Sequence, residues 1–212
     1  MWSTWWVTAD IPMVFGFATN DETVTKSMID VHVVTGALTA IAITASIFGF
    51  ILISENRKTD ARLQLMGYSS LSISLASLLS LFITMVFAVV LVSIIALQLT
   101  TVKDSTGLVL AITLITILYT TLGTIMGEIV SNVTEGTLVL LILSFMDLML
   151  LSNPMGGGVY LESWTYFLPG FWPVQLALES AFIGTPDLLT MIYPLTFGLG
   201  LILVAAIARR GD

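Results

Sequence analysis

The sequence predicts an all-α, polytopic transmembrane helical bundle of about five spans, and three observations carry this. The 212 residues are 57% hydrophobic and only 10% charged, with a mean hydropathy of +1.01, whereas a soluble domain carries about 25% charged residues. Apolar runs long enough to cross a bilayer recur along the chain. With one exception, the charged residues collect between those runs rather than within them.

Residues 1–33 read as an interfacial segment on the outer side, ahead of a transmembrane domain at 34–212. The opening MWSTWW holds three of the five tryptophans, the pattern of an interfacial anchor. It lacks the basic start and unbroken apolar stretch of a signal peptide. Met13 to Phe17 is apolar but too short to span. Asn20 to Asp30 is polar and is expected at the surface. His32, the only histidine, reads as an interfacial residue rather than a ligand.

Val34 to Ser54 is the first predicted span. Its length corresponds to about 31 Å of helix, enough for the hydrocarbon core. Its many small residues, among them Gly36, Ala37, Ala40 and Thr44, permit close helix packing, either against a second copy or within one chain. Leu71 to Leu99 and Leu108 to Met126 are the next two spans, joined by the polar turn Thr100 to Thr106. An acidic loop, Gly127 to Thr137, precedes a short apolar run from Leu138 to Leu151. Asn153 to Asp187 then gathers four of the six prolines, a triple glycine and two tryptophans. It is too broken for one span and too apolar for a free loop. Short helices lying in the interface or re-entering the membrane fit it best. Leu188 to Ile207 is the last span, followed by Arg209 and Arg210.

Between the first two spans lies SENRKTDARLQLMGYS, from Ser54 to Ser69. It mixes Arg57, Lys58 and Arg62 with Glu55 and Asp60, and carries Leu63, Leu65 and Met66. A short helix with charged and apolar faces is expected there. It reads as a docking element for a soluble partner, or as a positively charged loop that fixes topology. This stretch and the tail hold five of the seven basic residues, so both are placed in the cytoplasm and the N-terminus outside.

This order of segments resembles the membrane subunit of ABC transporters, the ABC type-2 permease family. SENRKTDARLQLMGYSSLSISLASLL is similar to the family's charged segment leading into a Leu-rich span. SWTYFLPGFWPVQLALESAFIG is similar to its outer segment before the last span. The resemblance covers about Thr35 to Arg210. It departs in lacking the usual first span and in carrying Lys58-Thr59 where the family has Gly-Thr. It implies a multi-pass permease of the cell membrane, most members being exporters, that pairs with a second copy or homologue. It also implies a cytoplasmic coupling helix, about residues 55–66, that docks on a separate ATPase subunit. Glu55, Arg57, Lys58, Asp60 and Arg62 would supply charged contacts, and Leu63, Leu65 and Met66 packing ones.

Several chemistries are excluded or set aside. There is no cysteine, hence no thiolate chemistry. The formal charge of −7 argues against nucleic acid. No lysine follows a glycine, so the chain has no phosphate-binding loop of its own. Any ATP would sit on the partner, and this chain needs no cofactor. Hydroxyl residues without an acid/base partner read as packing groups, not as an enzyme. Asp147 is the one charged residue inside a predicted apolar run. It marks either a translocation path or a structural hydrogen bond between helices. An accessory or scaffold membrane protein is the alternative to a permease. A secondary transporter has less support, since no internal repeat is evident.

The five-span topology predicts that single cysteines at Asn56 and Ser105 label from opposite sides of sealed cells. Labelling of both by an impermeant reagent from outside would rule it out.

Overall fold

The computed structural model describes residues 12–16, 23–130, 132–151 and 163–208. The tryptophan-rich start, Pro154, the Gly156–Gly158 run, Arg209 and Arg210 lie outside them. The described residues are mostly helical, about 85% of them. Strands β1 (Pro12–Gly16) and β2 (Thr23–Ser27) form an antiparallel hairpin with Pro12 opposite Ser27. This amends the all-helical expectation. Thr23, Val24 and Thr25 are β-branched and fit a pleated strand. The supposedly exposed stretch Asn20 to Asp30 is thus partly strand, with Val24 and Lys26 half-buried. The Lys26 ammonium lies 5.8 Å from the centroid of the Phe182 ring.

Helix α1 follows directly and runs from Met28 to Leu65. Ser27 caps it by accepting the Ile29 N–H at 3.2 Å, and Asp30 stands in its first turn, where negative charge is favoured. Val31, Val34, Leu38, Ile41, Ala42 and Ala45 line its buried face at helical spacing. Its 38 residues span about 57 Å, well beyond the roughly 30 Å of a hydrocarbon core. The expected separate coupling helix is therefore not there. Glu55 to Leu65 is the continuation of the first predicted span. The physical reason is local. Glu, Arg, Lys, Ala, Leu and Gln all favour helix, and nothing between Ser54 and Met66 breaks one. The stop comes at Gly67, with φ +92°. There the Gly67 N–H reaches the Gln64 carbonyl at 3.0 Å and the Tyr68 N–H reaches Leu63 at 3.1 Å. This is the hydrogen-bond pattern of a Schellman cap, which needs a left-handed residue at this position.

Helix α2 (Ser70–Leu99) returns along α1. Most of its surface is exposed, including Phe82, Phe87 and Ile94. Helix α3 (Ser105–Ile129) is central, capped by Asp104, whose carboxylate accepts the Thr106 N–H at 3.0 Å. Asn132 opens α4 (Val133–Leu151) in the same way, accepting the Thr134 N–H at 3.1 Å. A 3-10 turn, Ser163–Phe167, precedes α5 (Phe171–Phe182). The last element is α6 (Leu188–Ala208), with Pro194 inside it.

Three helices among the described residues are long and apolar enough to cross a membrane: Met28–Asn56, Leu75–Leu99 and Ser105–Ile129. Leu188–Leu201 is a shorter apolar helix. Threonine hydroxyls on α1 and α3 donate to the carbonyl one turn back, as from Thr35 to Val31 and from Thr116 to Ile112. That pairing lets them sit in apolar surroundings without an unsatisfied group.

The α1–α3 contact brings backbone against backbone. A Cβ on Gly123 would overlap the Ser46 carbonyl oxygen, and one on Gly49 would stand 2.6 Å from the Thr120 carbonyl oxygen. Gly123→Ala should therefore lower stability by about 1–3 kcal/mol, the range for overpacking. Gly36→Ala, with nothing within 4 Å of its added Cβ, is the control. Thermal unfolding in detergent should show a lower Tm for the first variant only.

Candidate functional site

Two places carry the expected site residues, and they are far apart on the chain. The first is the end of α1. Glu55, Arg62, Leu65 and Met66 are exposed there, Leu65 at 89% and Met66 at 73%. Leu63 is half-buried, so the expected apolar trio divides, with Leu65 and Met66 outward. The side chains of Arg57, Lys58 and Asp60 lie outside the described residues, although their backbones continue the helix. Asn56 ties this end to α2 through the Ser77 hydroxyl at 3.3 Å. On the bundle part of α1, Gly36, Ala40 and Thr44 form an outward stripe. Ala37, the fourth small residue of that face, packs instead against the bundle core.

The second place surrounds Asp147. Helix α4 brings it inward, next to Ser144, whose hydroxyl lies 3.2 Å from that of Ser46 on α1. Asp147 is 4% exposed. Its Oδ2 accepts a hydrogen bond from the Tyr119 hydroxyl of α3. The same oxygen accepts the Gly170 N–H at 3.0 Å. Gly170 is the N-cap of α5 and offers no side chain of its own. The carboxylate thus caps from another helix, at the end where the α5 dipole favours negative charge. Pro173 occupies the first turn of α5, where its missing N–H is no loss. Asp147 Oδ1 is buried and has no hydrogen-bond partner among the described residues.

From this point α5 runs through the bundle interior, with every residue but Trp172 buried. The α5 part of the broken region, Phe171–Phe182, therefore folds inward rather than along a surface. The far end of α5 meets the start of α3. Lys103 and Asp104 donate their N–H groups to the Ala181 and Ser180 carbonyls at 3.1 and 2.9 Å. Glu179, fully buried, accepts the Asp187 N–H at 3.1 Å and the Thr190 hydroxyl at 2.8 Å. Gly184, φ +94°, makes the turn between α5 and α6. Carboxylates thus hold α5 near both ends.

Beside Asp147 opens a groove of about 470 Å³. Its walls are the α4 face from Val139 to Met146, with Leu168 and Pro169. Asp147 is the one polar residue lining it among the described residues. No group of acids or histidines suited to a metal occurs among the described residues.

Sequence reasoning singled out Asp147 but not Tyr119, Gly170 or Glu179. Tyr119 had a signal, a hydroxyl-bearing ring in the middle of an apolar run. The Pro169-Gly170 pair marked a turn. Neither pointed to its partner. No protein-family model, curated protein or solved structure matches the chain.

Tyr119→Phe should destabilise by about 1–3 kcal/mol, because it removes a donor from a buried carboxylate. In an Asp147→Leu background the same change should have at most half that effect, since no acceptor is left to disappoint. Denaturation midpoints of the four proteins in this double-mutant cycle measure the coupling.

Proposed function

We propose that the chain is the membrane-spanning subunit of an ATP-driven ABC transporter, working as an exporter. It pairs with a second permease copy or a homologue, and it binds a separate ATPase subunit through the end of α1. That partner hydrolyses ATP, and this chain is not itself an enzyme. Helices α1, α2, α3, α4 and α6 are the five crossings of the cell membrane, with the Leu65 end and the C-terminus cytoplasmic. The α5 helix is then a re-entrant element on the outer half.

The observation that carries this reading is the unbroken course of α1. One helix joins the buried face at Leu38 and Ile41 to the exposed end at Leu65 and Met66. A rigid helix passes motion at its tip to the bundle, where a flexible loop would absorb it. Coupling is thus assigned to an extension of a span, in place of a separate short helix. The order of elements supports the same reading, with a buried short helix between the fourth and last long ones. The outward stripe at Gly36, Ala40 and Thr44 is where a second copy would approach.

Exposed apolar residues at such an end hold a complex, while rim charges tune recognition and on-rate. Leu65→Asp and Met66→Asp should therefore release the ATPase in a detergent pulldown far more than Glu55→Ala does. All three variants should still insert, because the apolar part of α1 is unchanged. Wild-type retention of the ATPase by both aspartate variants would end the docking reading.

A further inference from the structure

We infer that the groove beside Asp147 binds a lipophilic amine drawn from the bilayer, its ammonium N–H donating to the unpaired carboxylate oxygen and its apolar body lying along α4. Calling that amine the exported substrate rests on the transporter reading; the binding site itself does not.

The carboxylate supplies the chemistry. Both of its donors, the Tyr119 hydroxyl and the Gly170 N–H, go to Oδ2. Oδ1 is left buried and without a partner among the described residues. A charged oxygen without a partner is costly in apolar surroundings, and a cationic donor satisfies it better than a neutral one. No basic residue lines the groove among the described residues, so the protein offers no such donor there. A ligand that brings both a positive charge and an N–H complements the site.

The walls define the rest of the ligand. Apart from Asp147 the lining is apolar, which calls for a hydrocarbon body with one polar end. The volume of about 470 Å³ falls within the range of small-molecule sites, about 300–1,000 Å³. Entry is lateral. Ile142 and Met146 are 54% and 57% exposed, on a face that acyl chains would touch. Oδ1 itself is enclosed, so the amine must displace a lining side chain to reach it. Met146, unbranched and flexible, is suited to give way.

The test uses the full chain in lipid nanodiscs and a hexadecylamine carrying a mid-chain diazirine. Photo-crosslinks mapped by mass spectrometry should fall on residues 139–146 and on Leu168 and Pro169. Asp147→Asn should reduce them about tenfold or more, the fold-change of a lost charge-assisted hydrogen bond. Ile142→Trp, which fills the groove and leaves the carboxylate, should reduce them as well. Unlabelled hexadecylamine should compete with the probe. Hexadecanol, without the charge, and hexadecyltrimethylammonium, without the N–H, should each compete about tenfold less well. Crosslinks spread evenly over α2 and α6, or equal competition by the alcohol, would overturn the site. If both variants fail to fold, the wild-type competition series decides alone. Labelling needs no ATPase. Site-specific labelling in a chain that binds no ATPase therefore keeps the site and removes the transporter reading. An ATPase complex without such labelling does the reverse.

Discussion

The close approach of α1 and α3 is the constraint on which the rest of the bundle depends. Backbone meets backbone at Gly49 and Gly123, with no room for a Cβ at either. Hydrocarbon gives helices little hydrophobic reason to associate, so such close packing and internal hydrogen bonds must do it instead. With these two helices fixed, the remaining elements dock around them. Helix α4 adds through the Ser46–Ser144 pair. Helix α5 fills the interior beside α3, and α2 stays on the periphery with most of its surface open.

The buried carboxylates follow from that arrangement. A twelve-residue helix inside a bundle has two ends with unmet backbone groups. Water is not at hand to meet them. Asp147 supplies an acceptor at the first end, and the N–H groups of Lys103 and Asp104 supply donors near the second. Glu179 pins the turn that follows. Asp147, which stands out in the sequence as expensive, and Glu179, which does not, are thus the groups that let an interrupted segment sit inside.

The helical membrane character was legible from composition; each predicted span falls within a helix, and three of those helices are long and apolar enough to cross a membrane. The length of α1 is not legible from hydropathy, because the change from apolar to charged residues looks like a change of element. Helix propensity does not change there, and the true stop signal was Gly67. The hairpin is hidden in the sequence, because Met13 to Phe17 is a short apolar run and its partner Thr23 to Ser27 is largely polar, and nothing local pairs them. Asp147 was legible as costly and out of place. Its partners Tyr119 and Gly170 lie 28 and 23 positions away in sequence, and such pairings depend on tertiary packing that no local pattern records. The depth of α5 was hidden by Glu179, whose burial makes sense only beside Asp187 and Thr190.

The continuity of α1 has a mechanical consequence at its other end. Strand β2 passes into α1 with no linker, at Ser27 and Met28. The tight contact at Gly49 stands about 24 Å from Leu65 and about 31 Å from Met28, at 1.5 Å per residue. It divides the rod into two arms of similar length. Any tilt about that fulcrum swings the hairpin and the exposed tip in opposite directions by comparable distances. The hairpin is therefore the pointer on a balance beam, and a probe on β2 would read the inclination of a helix whose far tip lies across the bundle.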